Sequence, residues 1–192
     1  MKKVMILGAG IYQVPLIKKA KEMGLHTIVV SIPGNYPGFE IADEICYEDT
    51  TDAEKILQVA QEKEIDGIVT AGTDVAVITI GRVCDALGLK GLSKEAAQIA
   101  SNKMQMKEAY EANGVRTAKF RYTKLEIADV KEKASQLRFP LIFKAVDSSG
   151  SRGIIRVDST DEFDNALQVV KDVTKKDYFI IEEFIEGEEF GA

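Results

Sequence analysis

Apolar positions fall along this chain in short runs separated by helical repeats. Residues 3–7, Lys-Val-Met-Ile-Leu, form an apolar run that stops at Gly8-Ala9-Gly10. Leu16, Ile17, Ala20 and Met23 then recur at helical spacing, and Gly24 is a natural stop. Thr27 to Val30 is a second β-branched run. Strand, helix and strand in that order make a βαβ unit, which predicts a parallel sheet with a right-handed crossover. The alternation continues. Thr51-x-x-Glu54 has the form of a capping box ahead of Ala53, Ile56, Leu57 and Ala60. Gly67 to Thr70 reads as a buried strand, and Asp74 as the cap of a helix carrying Val75, Ile78, Val83 and Leu87 up to Gly88. The pattern predicts a doubly wound α/β domain with a parallel sheet over residues 1–90.

The pattern then changes twice. Residues 93–114 carry no strand signal; Ser93 and Ser101 read as caps, Met106, Ala109 and Tyr110 as one apolar face, and Asn113-Gly114 as a stop. Residues 91–115 are therefore expected to form a helical connector. Beyond it, Thr117 to Tyr122 reads as a strand and Ile127, Val130, Ala134 and Leu137 as a helix. Pro140 to Ala145 and Gly153 to Val157 are strands meeting around a Gly/Ser loop, which suggests a hairpin. Ser159-x-x-Glu162 precedes a helix with Phe163, Ala166, Leu167 and Val170, and Tyr178 to Glu183 is a last strand. Residues 116–185 are thus expected to be a smaller α+β subdomain with an antiparallel sheet. Residues 186–192 read as the middle of a strand connection.

Composition narrows the function mainly by exclusion. The chain is 45% hydrophobic and 29% charged, ordinary for a globular protein. A net charge of -6, with 25 scattered basic residues, argues against a nucleic-acid partner. His26 is the single histidine, so neither a histidine-rich metal site nor a Ser-His-Asp triad fits. Cys46 and Cys84 have no Cys-x-x-Cys spacing and read as small buried hydrophobes. No apolar run approaches the roughly 18 residues that span a bilayer. A signal peptide is not indicated either, because Gln13 and Pro15 interrupt the first apolar run. The expectation is a soluble, cytoplasmic protein without membrane partners.

Three segments are candidates for chemistry. Gly8-Ala9-Gly10, between a strand and a helix, invites a dinucleotide reading; however, position 13 is Gln where the fingerprint needs a third glycine. Ser31 also stands where a ribose-binding acid should end the second strand. A tight turn serving the fold explains this motif better, although Gly8 and Gly10 at a helix N-terminus remain candidates for a substrate loop. No Gly-x-x-x-x-Gly-Lys occurs, so a P-loop is absent. The second segment begins at Lys144, a charge at the end of the apolar run Pro140-Leu-Ile-Phe, where a lysine usually meets an anion. Behind it, small residues let backbone N–H groups approach phosphate oxygens, Ser148, Ser149 and Ser151 add hydroxyls, and Arg152 a second cation, up to Gly153. An ordinary flexible hairpin with a snorkelling lysine is the competing reading. The third segment, Glu182-Glu183-Phe184-Ile185 running on to Glu189, places five carboxylates in eight residues after an apolar strand. A solvated acidic face is the usual explanation. A strand feeding into such a segment can also read an adenine edge through its backbone.

In order along the chain, these features resemble the ATP-grasp superfamily, in its carbamoyl phosphate synthetase-like and purine-biosynthetic branches. The resemblance rests on Ile41-Ala42-Asp43, Asp66-Gly67-Ile68-Val69-Thr70, Ser101-Asn102-Lys103, Lys144 with Ser148 to Gly153, and Glu182 to Ile185. It implies a pre-ATP-grasp doubly wound sheet followed by an ATP-grasp lid. Under it, Lys103 and Lys144 contact nucleotide phosphates, and Ser148, Ser149, Gly150, Ser151, Arg152 and Gly153 form the phosphate-covering loop. Glu182 and the main chain of Glu183, Phe184 and Ile185 hold adenine, and Glu189 meets the ribose. The cofactors implied are ATP and Mg²⁺, and the substrates a small carboxylate and an amine or ammonia, joined through an acyl-phosphate. The family's metal-binding acidic residues follow the hinge, in a half this sequence does not contain, so no metal or catalytic residue is assigned here. The resemblance therefore implies a truncated chain, inactive alone, in which 186–192 begin the catalytic subdomain. A non-catalytic nucleotide-binding module and an NAD-binding Rossmann fragment are the alternatives. Truncation further predicts an unpaired strand edge and exposed apolar surface around Phe179 to Ile185, and from them pairing into a homodimer.

Overall fold

The computed structural model describes all residues except Ser149, Glu189, Gly191 and Ala192. It divides into two compact units, Met1–Ser101 and Asn102–Ala192. The fold class is the expected one: a parallel sheet in the first unit and an antiparallel sheet in the second.

In the first unit, strands β1 (Lys3–Leu7), β2 (His26–Ser31), β3 (Glu44–Tyr47) and β4 (Gly67–Val69) pair in parallel in the order β3-β2-β1-β4. Four helices accompany them: α1 (Val14–Glu22), α2 (Ala53–Lys63), α3 (Val77–Leu87) and α4 (Lys94–Ala100). Alternation along the strands sends residues to two cores. Met5, Leu7, Ile28 and Val30 pack with Ile56, Ala60 and Val83 of α2 and α3. Ile6 and Val29 pack with Ile17 and Ala20 of α1. Burial on both faces is why these strands read as continuous apolar runs. The chain leaves β1 toward β2 on one side and returns to β4 on the other, so the carboxyl end of β1 is a topological switch point.

Local details depart from the sequence reading. The cap of α2 is Asp52, whose carboxylate accepts the Lys55 N–H at 3.0 Å. The Thr51 hydroxyl is instead committed to Asp49 at 2.8 Å, and Glu54 reaches Arg82 at 2.8 Å. Asp74 does not cap α3 through its side chain; its backbone carbonyl accepts the Val77 N–H at 3.2 Å. Strand β3 carried no readable signal because it pairs on one side only and its residues are half-buried or exposed.

Asp43 ties the start of this edge to the sheet. Its carboxylate accepts the Thr27 N–H and hydroxyl at 2.9 and 2.8 Å and the Lys21 ammonium at 2.5 Å. The Lys21 hydrogen bond and the Thr27 N–H hold its carboxyl at about 2, below the ordinary 3.8. Folding therefore gains from ionised Asp43 above about pH 4, and that gain disappears as pH falls toward 2. Asp43→Asn is expected to cost about 1 kcal/mol at neutral pH, a value reduced for the solvent-exposed Lys21 partner. Urea unfolding across a pH series should show the difference from wild type closing in acid; a difference unchanged at low pH would contradict this assignment.

In the second unit, strands β5 (Phe120–Lys124), β6 (Leu141–Lys144), β7 (Ile154–Val157) and β8 (Tyr178–Glu183) form an antiparallel sheet ordered β5-β8-β6-β7. Helices α6 (Ile127–Ala134) and α7 (Phe163–Lys171) cover one face, where Val130, Phe163, Leu167 and Val170 meet Leu141, Phe143, Phe179 and Ile181. The intervening strand residues belong to the opposite face. There Phe120 and Ile180 pack with Met104 of helix α5 (Lys103–Ala112).

Three expectations fail in this unit. The strand Tyr178–Glu183 is not an edge: it pairs with β5 on one side and β6 on the other, and Phe179, Ile180 and Ile181 are fully buried. β5, read from Thr117 on, supplies the missing neighbour, so exposure of this strand gives no ground for a homodimer. Ser101 does not cap α5; Asn102 does, accepting the Met104 and Gln105 N–H groups at 3.0 and 3.2 Å. The buried residue of α5 is not on the Met106, Ala109, Tyr110 face but is a lysine, Lys107.

Candidate functional site

β6 alternates, so Leu141 and Phe143 enter the helix-covered core while Ile142 and Lys144 stand on the other face. β8 does likewise, placing Ile180 and Glu182 on that face, with Ile142 paired to Glu182 and Lys144 to Ile180. Lys144 and Glu182 are thus diagonal neighbours across one ladder, and they form an ion pair. Glu182 is only 4% exposed.

α5 adds a second cation to this carboxylate. The Lys107 ammonium lies 2.6 Å from the other Glu182 oxygen, Oε2, and donates to Thr117 Oγ1 at 2.5 Å. It also stands 5.8 Å from the Phe120 ring centroid. One helical turn earlier, Lys103 donates to the Ser148 carbonyl, and its own N–H bonds the Val146 carbonyl at 3.2 Å. Lys103 and Lys107 are four residues apart and so share a helix face. That spacing was the available signal for Lys107, which the sequence reading missed. The face holds Lys107 and Lys144 at one buried carboxylate and Lys103 at the start of the loop.

The loop is anchored at both ends. Ala145 N–H donates to the Gly153 carbonyl at 2.8 Å, and Ser148 Oγ to the Arg152 carbonyl at 2.5 Å. Gly150, Ser151 and Gly153 all take left-handed backbone, with φ of 65°, 59° and 64°. At Gly153 a side chain would also strike Ala145 and Val173, its Cβ falling 2.9 Å from the alanine methyl. Asp147 fixes the loop base to the chain after α7, accepting the Thr174 hydroxyl at 2.8 Å and the Lys175 N–H at 2.9 Å. Burial pushes its carboxyl up, but those two hydrogen bonds outweigh burial and leave it below the usual range. Gly150, Ser151 and Arg152 are exposed at the tip. Ser149 lies outside the described residues.

After β8 the main chain is partly committed. The Glu183 N–H donates to the Lys119 carbonyl and the Phe184 N–H to the Pro140 carbonyl, both at 2.9 Å. The Glu183 side chain belongs to the other face, where Arg138 holds it at 3.1 and 3.2 Å and draws its carboxyl below the ordinary value. The Phe184 ring lies under the Arg156 guanidinium at 4.6 Å, and Ile185 is exposed. Glu189 lies outside the described residues.

Gly8 and Gly10 belong to the first unit. They border a cleft of about 310 Å³ at the carboxyl ends of the parallel strands, lined also by Ser31, Asp49, Thr51 and Thr73. The Gln13 side chain folds against both glycines and donates to the Ala71 carbonyl. Gln13 thus stands where a dinucleotide fingerprint has its third glycine for close helix–strand packing. Gly38 seats the following loop on this turn: its N–H bonds the Ala9 carbonyl at 2.8 Å, and a Cβ there would clash with that residue's backbone.

Residues 137–192, from the approach to β6 through the loop, β8 and the segment after it, match the model of an ATP-grasp domain. The chain belongs to the ATP-grasp superfamily. It is 29% identical over 191 residues to the formate-dependent phosphoribosylglycinamide formyltransferase of Bacteroides thetaiotaomicron, covering 96% of this chain and 48% of that one. It is 32% identical over 146 residues to the alanine–anticapsin ligase of Bacillus subtilis, covering 70% of this chain and 30% of the ligase. Among solved structures, phosphoribosylglycinamide synthetase from Anaerococcus prevotii superposes with a TM-score of 0.75 at 35% identity, over 97% of this chain and 46% of that one. The chain thus spans about half the length of the relatives that match it along its whole sequence. No helix among the described residues is long and apolar enough to cross a membrane.

Within this ATP-grasp sheet the shared carboxylate has a measurable consequence. Removing it strands two cations, one of them Lys107, whose side chain is only 10% exposed. Glu182→Ala is therefore expected to destabilise the second unit by about 3 kcal/mol. Adding Lys107→Met should recover part of that loss, since the stranded charge goes with it. Urea unfolding of the two single variants and the double checks this; strictly additive losses would show that the pair is not coupled.

Proposed function

We propose that this chain is the ATP-binding portion of an ATP-dependent ligase that joins a small carboxylate to an amine or ammonia through an acyl-phosphate. The observation that carries the proposal is Lys144 paired with buried Glu182 on one strand face, with Lys103 of α5 bound to the start of the Ser148–Gly153 loop that follows Lys144. Relatives named as a formyltransferase, an amino-acid ligase and a synthetase support the reaction class.

A nucleoside triphosphate needs cations, backbone donors and a polar acceptor for its base, and this face offers each kind. Lys103 and Lys144 are assigned to phosphate oxygens, with the loop's backbone N–H groups and the hydroxyls of Ser148 and Ser151 folding over them. Arg152 at the loop tip, with Ser149, completes the phosphate cover. Glu182 is assigned to the adenine amino group. Because the Glu183 and Phe184 N–H groups serve the sheet, the Glu183 carbonyl and the Ile185 N–H are the main-chain groups assigned to the base edge. Glu189 is assigned to the ribose.

Bound ATP supplies a γ-phosphoryl group that converts a carboxylate into an acyl-phosphate open to attack by an amine. The chain's own contribution is to hold the phosphates against fixed positive charge and to keep water from them with the loop. Mg²⁺ does not fit the described residues, among which no group of three or more His, Cys, Asp or Glu side chains could hold a metal. Its ligands are assigned to sequence outside this chain, which is therefore expected to bind nucleotide without turning it over. The cleft beside Gly8 and Gly10 is assigned to a small-molecule substrate, and the net charge of -6 suits such a partner better than nucleic acid. A cytoplasmic location follows from the same reading.

ATP should raise the thermal midpoint of the chain. Lys103→Ala and Lys144→Ala should each weaken ATP binding about tenfold, as expected for loss of one charge-assisted contact. NADH should leave the midpoint unchanged. Stabilisation by NADH but not by ATP would overturn the proposal, as would Lys144→Ala binding ATP as wild type does.

A further inference from the structure

Glu182 is buried and shared by two lysines that differ in freedom. The Lys107 side chain is 10% exposed and Lys144 is 27% exposed. Lys107 is further tied to Thr117 Oγ1 at 2.5 Å and to the Ala118 carbonyl at 3.4 Å, and it stands against the Phe120 ring. Lys144 sits at the end of β6, one residue before the chain that leads into the phosphate loop. The two cations hold different oxygens of the carboxylate, Lys107 at Oε2 and Lys144 at Oε1.

A buried carboxylate stripped of every cation is strongly disfavoured. If Lys144 were the single partner of Glu182, drawing it away to a phosphate would leave such a charge behind. With Lys107 in place, Lys144 can leave Oε1 while Oε2 stays paired. We propose that Lys107 is a positioning residue: it is the permanent counter-ion of Glu182, and it makes Lys144 an exchangeable one that nucleotide phosphates recruit. The freed Oε1 then accepts a hydrogen bond from the base, since a carboxylate has several acceptor positions. Phosphate binding and base recognition are thereby coupled through one side chain. The inference rests on the nucleotide reading above and adds to it a residue that does not touch the ligand.

The account predicts a difference between ligands with and without phosphates. Adenosine has no phosphate to draw Lys144 from Glu182 and binds without the Oε1 contact, whereas ATP recruits Lys144 and gains it. In Lys107→Met, ATP affinity should fall at least tenfold while adenosine affinity changes by about twofold or less. Lys107→Arg keeps the charge and should retain most of the ATP affinity. Lys107→Met combined with Glu182→Gln should bind ATP more tightly than Lys107→Met alone, because an amide no longer holds Lys144 by charge. These affinities are read by NMR titration of the full chain with millimolar ATP and adenosine, with thermal unfolding run alongside to show that each variant is folded. Equal losses of ATP and adenosine affinity would make Lys107 merely structural and overturn the inference, as would a double variant no better than Lys107→Met. If Lys107→Met is unfolded, Lys107→Arg decides: parallel loss of both ligands overturns the inference, and retained ATP affinity supports it. Wild type that binds neither ligand would overturn the nucleotide reading itself, and the inference with it.

Discussion

A carboxylate inside a protein has to be answered by charge, and in this chain the answer organises the second unit. Glu182 lies on a central strand between two neighbours, with main-chain hydrogen bonds to both sides. Its charge can be compensated only from across the ladder or from the covering helix. Lys144 does the first and Lys107 the second. The pairing in turn fixes the register between β6 and β8 and the rotation of α5 about its axis, because a turned helix would present an apolar or solvated residue to the carboxylate. With α5 so rotated, Lys103 follows one turn away on the same face and reaches the first carbonyls of the loop. A cluster of positive charge beside a small-residue loop is thus a consequence of satisfying one buried anion.

The two units solve different problems. The parallel sheet of the first unit is covered on both faces, so its side chains are spent on packing and its chemistry is left to the carboxyl ends of the strands, where the cleft lies. The antiparallel sheet of the second unit buries one face under α6 and α7 and keeps charged residues on the other. That asymmetry permits lysine and glutamate to occupy strand positions within otherwise apolar runs. It also explains why the charged residues of the candidate site come from three separate stretches, α5, β6 and β8, each contributing one or two side chains at the period its element dictates.

What could be read from sequence follows the same physics. Strand β8 spans the residues of the apolar run Tyr178 to Glu183, because a central strand shows its burial plainly. Lys144 stood out because a charge at the end of Pro140-Leu-Ile-Phe breaks the apolar pattern. The edge strand β3 did not stand out, since its residues are only half-buried. Lys107 was hidden for the opposite reason: a lysine on a helix reads as solvated, and its burial depends on a glutamate 75 positions later in the chain. The caps were misassigned by one residue where two candidates adjoin, as at Thr51 and Asp52 or Ser101 and Asn102: the Thr51 hydroxyl is committed to Asp49, and Ser101 ends α4 through its backbone N–H. The exposed edge expected at β8 failed for lack of one inference, namely that β5 would return to pair with it.

The central claim is that the lysines around Glu182 form a phosphate site while the glycine turn after β1 does not. Lysine side-chain nitrogen NMR of the full chain, followed during titration with ATP, tests it most directly. The account predicts that the Lys103 and Lys144 ammonium signals shift on addition of ATP, while Lys107 keeps the signature of its pairing and the backbone signals of Gly8 and Gly10 stay in place. Shifts confined to the Gly8–Gly10 turn, with Lys103 and Lys144 unmoved, would contradict it.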